Sequence, residues 1–437
     1  MLPATWTHLR YHRLQTLLWR SRARYIAVAA GRGSGKTELA RRRVVRFLPV
    51  KKPWSNPLYF YALPTYNQAK RVAWRPLCDL VPPDWIKKIN QGELSIETKW
   101  GSTLFVVGMD KPQRIEGVQW DGGVLDESCD QRPGSFGRSV VPALSHRFGW
   151  CWRIGVPKRF GVGAPEFKEF FDEGAAPGTS LTDPSCEHES YTWPSRDILT
   201  PAQLKWAMEN LDEKDFNEQY NASWEEVSGL IFYAFDEVQN VREVMFDPEK
   251  PIIVGSDFNV NPMCWVLAQQ HVNIQNATKE LHVFDELFIR NTNTRATLDV
   301  LAKRYGSHRA GFDFVGDASG QARKTSASES DYIQIKNDRR FHNSRVFYPN
   351  SNPLRANRFA ACNALFHNAE GLRRCFIHPR CKALIRDCTR RAYKEGTNEP
   401  DDHDDIGHIT DAFGYIVHRL FPLTIKSNTK AQVYASG

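Results

Sequence analysis

The stretch Arg24-Tyr-Ile-Ala-Val-Ala-Ala-Gly-Arg-Gly-Ser-Gly-Lys-Thr37 decides the fold of the N-terminal half. A short apolar, β-rich run passes into a glycine loop at Gly31–Gly35. A helix then follows from Lys36 to about Phe47, closed by Pro49. Strand, glycine loop and helix in this order make the first βα unit of an α/β sheet. Residues 30–37 match the pattern GxxxxGK[ST], except that Ala30 stands at the first glycine. Such a loop turns the backbone N–H groups of Gly31, Gly33, Ser34 and Gly35 toward phosphate oxygens, helped by the following helix N-terminus. Lys36 reaches the β- and γ-phosphates, and the Thr37 hydroxyl can hold Mg2+. The competing reading is a chance glycine-rich turn. The strand before it and the Lys-Thr pair in register weigh against that.

Hydrolysis of a nucleoside triphosphate such as ATP needs a second acid. Val124-Leu-Asp126-Glu127 supplies it, an apolar strand ending in two carboxylates. Asp126 would bind Mg2+ and Glu127 would polarise the attacking water. This tetrapeptide alone is common; placed after a phosphate loop it gains meaning. An arginine is also expected near the γ-phosphate. Arg32 inside the loop and Arg114 ahead of the acidic strand are candidates, with Arg138 and Arg147 weaker ones.

Further strands are expected at 58–63, 94–98, 103–108 and 150–156, and helices at Trp6–Arg22 and Tyr66–Leu80. From about residue 174 the composition turns rich in Gly, Pro and Ser, and a helix is expected over 200–224 with Thr200-Pro201 at its start. A second β-rich pattern begins at Pro251, with strands at 252–257, 264–268 and 281–289. It continues with a helix at 294–305, a strand at 311–317 and helices at 354–368 and 405–420. No internal repeat is present.

Three acids stand out in this second half. Asp257 and Asp317 each end an apolar strand. Asp411 sits on the last helix, with His408 one turn before it and Asp404 and Asp405 two turns before. Carboxylates on neighbouring strand ends and a facing helix can hold two Mg2+ or Mn2+ ions, which stabilise the attacking and leaving oxygens of phosphodiester cleavage. An all-oxygen set favours these hard ions over zinc. Asp257, Asp317, Asp411, His408 and Asp405 are therefore the candidate metal ligands, with Asp285 and Glu286 behind them. The bland alternative is that each strand-end Asp is a turn residue and that the acids at 401–411 start a solvated helix.

At 437 residues the chain exceeds one ordinary domain. Its composition is globular, and no apolar run is long enough to cross a membrane. No apolar leader with a cleavage site is read at the N-terminus. The nine cysteines lack any paired metal spacing, which points to reduced thiols. The net charge of +8 suggests a polyanionic partner, although solvated helices can carry such charge too.

Taken in order, these residues resemble the large terminase subunit of tailed bacteriophages. The likeness rests on Gln15 ahead of the first strand, the Arg-bearing loop at Gly31–Thr37, Val124–Glu127, and Gly155-Val-Pro-Lys158 after a strand. Phe216-Asn-Glu-Gln-Tyr220 with Trp224 and Gly229–Phe232 follows, then Asp257, Asp317 and His408-Ile-Thr-Asp411. The resemblance implies an α/β chain with an N-terminal P-loop, RecA/ASCE-like ATPase domain (1–185) and a linker region (186–245). An RNase H-like nuclease domain (246–425) and a flexible tail (426–437) complete it. It implies that Gln15 reads adenine and that Glu127, Lys36 and Arg32 act in hydrolysis. Asp257, Asp317 and Asp411 would act in cleavage, with Asp405 or Asp404 as alternatives for the third acid. It implies partners: double-stranded DNA, a small terminase subunit, a portal protein, and further copies of the chain in a ring of five. It implies work in the cytoplasm of an infected bacterium, outside the mature virion and without a membrane. Two rival readings stand beside it. One is an ATP-dependent helicase–nuclease of repair or defence, for which no helicase signature follows Pro157. The other is a non-catalytic DNA-binding protein with relic sites, against which Lys36, Thr37, Asp126 and Glu127 all stand.

Overall fold

The computed structural model describes residues 12–226, 229–244, 246–321, 329–394, 397, 399–403 and 405–423. The expected start of the first helix at Trp6, Asp404 and the tail at 426–437 lie outside them. The chain divides into two compact units: Met1–Leu204 with Phe216–Val227, and Lys205–Asp215 with Ser228–Gly437.

The first unit is built on an eight-stranded sheet. Its strands are β1 (Tyr25–Ala30), β2 (Leu58–Leu63), β3 (Ile86–Asn90), β4 (Ser95–Thr98), β5 (Thr103–Gly108), β6 (Gly122–Leu125), β7 (Trp150–Gly155) and β8 (His188–Trp193). They lie in the order β3-β4-β5-β2-β6-β7-β1-β8. All pairs from β5 to β8 are parallel, and β3 and β4 add an antiparallel edge. A parallel sheet is covered on both faces, so its strands read as continuous apolar runs. β1 shows this. Ile26, Val28 and Ala30 enter one core, while Ala27 and Ala29 enter another on the opposite face. Two expectations are adjusted here. The first helix is described at Arg13–Arg20. Ser190 and Glu189 of β8 are buried polar residues, which hide this strand inside a turn-rich stretch.

The second unit carries a six-stranded sheet. β9 (Ile252–Asp257), β10 (Met263–Val272) and β11 (Lys279–Ile289) form an antiparallel meander. β12 (Phe312–Gly316) lies parallel beside β9, and β13 (Ser344–Phe347) lies parallel beside β12. β14 (Cys375–Ile377) pairs with β11 at the other edge. The helices Arg355–Phe366, Lys382–Arg390 and His408–Leu420 contribute to the core on one face, and Thr294–Tyr305 and Asp331–Asn337 to that on the other. The helix expected over 200–224 is two helices, Pro201–Asn210 and Glu213–Asn221. The Asp212 side chain accepts from the Asp215 N–H at 3.0 Å and so caps the second. The last helix begins at His408, three residues later than the spacing predicts.

All nine cysteines are free thiols. Seven are buried and Cys78 and Cys186 are half-buried. Among the described residues no helix is long and apolar enough to cross a membrane.

Candidate active sites

The first site grows from the loop between β1 and the helix Lys36–Phe47. Gly33 and Gly35 have φ of 65° and 81°, the left-handed region that glycine enters without strain. Gly31 has no room for a side chain: a Cβ there would meet Ser195 Oγ at 2.3 Å and the Tyr220 carbonyl oxygen at 2.6 Å. The Ser34 carbonyl accepts from Gln15 Nε2 and from Trp193 Nε1, both at 3.0 Å, which fixes the loop from outside. The Arg32 N–H donates to the Gln219 carbonyl at 2.6 Å, and its carbonyl accepts from Ser195 Oγ at 2.6 Å. Arg32 is exposed, while Lys36 is 7% exposed and donates to the Gly31 carbonyl at 3.2 Å.

Asp126 follows the end of β6, one strand removed from β1 because β7 lies between them. Its Oδ2 accepts from Tyr61 OH at 2.6 Å and from Thr37 Oγ1 at 3.3 Å. Gln131 Nε2 holds its carbonyl at 2.8 Å. Burial pushes the Asp126 carboxyl above its ordinary range, against the Tyr61 bond that lowers it. Burial likewise lowers the Lys36 ammonium, against the attraction of Asp126 and Glu127. Glu127 has φ of 53°, and its Oε2 lies 3.6 Å from Lys158 Nζ, which also bonds Asp130. These hard oxygens and one buried ammonium suit a magnesium-bound triphosphate. The Ser34 hydroxyl is buried with no partner among the described residues, another group that an anion would satisfy.

The other arginines separate cleanly. Arg114 is exposed and bonds the Gly108 carbonyl and Asp110, both at 3.3 Å. Arg138 is exposed. Arg147 bonds the buried Asp121 at 2.9 Å and stacks over Trp54, so it serves the core beside β2.

The second site lies in the other unit. β9 and β12 run parallel with Ser256 opposite Gly316, so Asp257 and Asp317 end neighbouring strands at the same side of the sheet. Ser319 Oγ donates to both Asp317 oxygens, at 2.8 and 2.9 Å, and the Gly320 N–H donates to Oδ1 at 3.2 Å. Burial raises the Asp317 carboxyl, and the charge of Asp257 raises it further. His408 Nδ1 lies 3.0 Å from Asp257 Oδ2, and Asn259 Nδ2 donates to the same oxygen at 2.7 Å. The Asp257 bond raises the His408 imidazole, while burial pulls it down. Gly255 lets the last helix approach: a Cβ there would meet the Ala412 carbonyl at 2.3 Å. Asp411 sits on that helix, and Arg358 and Arg391 both bond its Oδ1, at 3.2 and 3.0 Å. Arg391 is wholly buried and also grips both oxygens of Asp402. Burial raises the Tyr415 hydroxyl, and the charges of Asp317, Asp411 and Asp257 raise it further.

Asp405 stands apart from the helical spacing expected of it. It precedes the helix with φ of 66° and pairs with Arg290. Asp285 bonds Arg304 and Tyr305, and Glu286 accepts from the N–H groups of Ala383 and Leu384. Among the described residues no three His, Cys, Asp or Glu side chains converge on one metal position. Asp257 and Asp317 fit a hard divalent cation by donor type and by their mutual repulsion, which such a cation would relieve. Tyr61, Gln131, Asn259, Ser319 and the Arg358–Arg391 pair escape sequence reading, since none belongs to a short motif.

Comparison with known proteins places the chain beside one family. No protein-family model matches it. The large terminase subunits of Thermus phage G20c and of Thermus virus P23-45 are each 25% identical over 288 residues, 57% of this chain. The chain matches 58% of the length of these curated relatives. The large terminase of a thermophilic bacteriophage superposes with a TM-score of 0.55 at 15% identity, covering 94% of this chain and 99% of that one. The same protein in complex with ATP-γ-S gives 0.53 at 16%, with the same coverage. The chain thus resembles phage large terminase subunits, and its two α/β units have their fold.

Proposed function

We propose that this chain is the large subunit of a phage terminase. It would use ATP to drive double-stranded viral DNA into procapsids and would cut concatemeric DNA with a metal-dependent endonuclease. One observation carries the reading: a single chain bears a phosphate loop with a facing acid in one unit and paired strand-end carboxylates in the other. The names and fold of the relatives support it.

In the first site, Gln15 and the loop Gly31–Gly35 hold the nucleotide, and Lys36 and Arg32 meet its phosphates. Thr37 and Asp126 would hold Mg2+, which when bound would neutralise charge on the transferred phosphoryl. Glu127 orients the attacking water once it leaves Lys158. Arg114 is the candidate to act on a neighbouring copy's ATP. In the second, the meander with acids at the ends of β9 and β12 supports an RNase H-like nuclease. Asp257 and Asp317 would hold Mg2+ or Mn2+, which when bound would stabilise charge on the attacking and leaving oxygens of phosphodiester cleavage. Asp411 is the third acid and His408 orients Asp257. The partners proposed are DNA, a small terminase subunit, a portal protein and further copies of the chain in a ring of five, in the cytoplasm of the infected bacterium.

The test is plasmid digestion with Mn2+ or Mg2+ beside ATP turnover on the same preparations. Asp257→Ala should lose cutting and keep ATP turnover; Lys36→Ala should do the reverse. Plasmid digestion that persists in purified Asp257→Ala would sink the nuclease assignment, and unchanged ATP turnover in Lys36→Ala would sink the ATPase assignment.

A further inference from the structure

A groove of about 900 Å3 lies beside the second site. Its floor is Val315 and Gly316, the residues just before Asp317, and its walls include Phe347, Tyr348, Leu354 and Tyr415. Tyr415 belongs to both places, since it lines the groove and Arg358, which bonds Asp411, lies 4.4 Å from its ring centroid. A side chain also ties the groove to the acid loop: Asn352 Oδ1 accepts from the Ala318 N–H at 2.7 Å.

Its chemistry is aromatic and cationic. Arg419 lies 3.5 Å over the Phe347 ring, and Lys336 lies 5.4 Å from the Tyr348 centroid. Tyr348 stacks on Tyr332 at 4.5 Å and is 38% exposed. No carboxylate is among the described lining residues. A cation-bearing, acid-free groove with flat aromatic walls is complementary to a polyanion that carries flat apolar groups. Single-stranded nucleic acid meets that description, with bases stacking on aromatic side chains and phosphates meeting the cations. A base inside a duplex cannot enter a pocket unless it leaves its stack.

We propose that this groove receives an unpaired base of the DNA strand that passes the Asp257 and Asp317 carboxylates. The inference rests on the nuclease reading of those two acids. It makes the second site a reader of frayed or single-stranded DNA at the point of cutting, with Tyr348 as the stacking platform and Arg419 on the phosphates.

The test uses the full chain and two fluorescent DNA probes without divalent cation. One is a blunt duplex; the other is the same duplex with a single-stranded overhang bearing 2-aminopurine. Wild type should prefer the overhang and quench its 2-aminopurine. Tyr348→Ala should weaken overhang binding about tenfold and leave the blunt duplex unchanged, the loss expected of one stacked base. Tyr348→Phe should restore binding, and Leu354→Glu, at a 72% exposed position on the rim, should repel the overhang without touching the fold. Equal affinity of wild type and Tyr348→Ala for the overhang, or an equal loss on both probes, would overturn the proposal. So would 2-aminopurine fluorescence that wild type leaves unchanged. Failure of the nuclease reading looks different: wild type then cuts no plasmid with either metal, whatever it binds.

Discussion

Arg391 shows how much one residue can hold. Its guanidinium has no solvent exposure and bonds Asp402, Asp411, the Gly407 carbonyl and Thr410. Removing one partner of such a buried set leaves charges uncompensated, which costs about 3–5 kcal/mol. Arg391→Leu should therefore lower the denaturant midpoint of the second unit markedly; an unchanged midpoint would show that the acids find solvent without it. Tyr61 is a milder case. Its hydroxyl makes the shortest of the bonds to Asp126, so Tyr61→Phe should reduce the apparent Mg2+ affinity in ATP turnover while the fold stays intact. The glycine loop at Gly31–Gly35 is legible as the turn between a strand and a helix because that pattern is local in sequence. Tyr61 and Arg391 are not. The partner of Tyr61 lies 65 residues away and the two acids bound by Arg391 lie 11 and 20 residues away, and neither follows a spacing rule. The basic run Arg41-Arg42-Arg43 misleads in the opposite sense. Arg41 and Arg42 are paired with Glu38, and Arg43 is boxed by Phe47, Trp150 and Trp152, so these charges face inward rather than toward a polyanion.

Among elements, the last helix depends on β9. Gly255→Ala would drive a methyl group into the Ala412 carbonyl, and overpacking of this kind costs about 1–3 kcal/mol. The variant should lose plasmid cutting while ATP turnover persists, since His408 and Asp411 ride on that helix; full cutting would mean the helix need not touch the strand. The meander offers a pH test. His271 on β10 and His282 on β11 stack at 4.4 Å. Burial, together with His282 and Lys250, lowers His271 to about 4. The unfolded chain therefore binds the extra proton first. Stability from this residue is complete above the ordinary histidine pKa of about 6.5 and is lost as pH falls toward about 4. His271→Gln should flatten the acid limb of a stability–pH curve measured by urea unfolding, and an unaltered limb would reject the assignment. Strand ends with apolar runs, such as β9 and β12, are readable from sequence. β8 is not, since Glu189 is satisfied inside by Ser21, Ser180 and Tyr191 and so looks like a loop acid. Asp405 is misplaced by a helical-face argument because the backbone there has not yet begun its helix.

At the scale of the whole molecule, two sheets each have their own core and each carry one of the two candidate sites. Because the inward arginines remove part of the basic excess, DNA binding should depend on fewer cations than the sequence count suggests. Binding should still weaken linearly with the logarithm of salt concentration, each phosphate contact adding about 0.9 to the slope. A titration between low and moderate salt measures that number directly, and a flat response would argue against phosphate-directed grip. The order of the two sites along the chain is legible, since each rests on strands that announce themselves. The division of residues between the units is harder to read, because the segment after residue 185 supplies β8 to the first sheet.

The buried thiols have a practical consequence. Burial raises every one of the nine cysteines, with Cys129 and Cys151 pushed up to about 12. Maleimides attack accessible thiolates, so the seven buried cysteines should be nearly silent to them at neutral pH, and the half-buried Cys78 and Cys186 should carry the native reactivity. With Cys78 and Cys186 replaced by serine, a single cysteine placed on an exposed loop would then take a fluorophore while the seven buried thiols stay in place, opening the molecule to single-molecule observation.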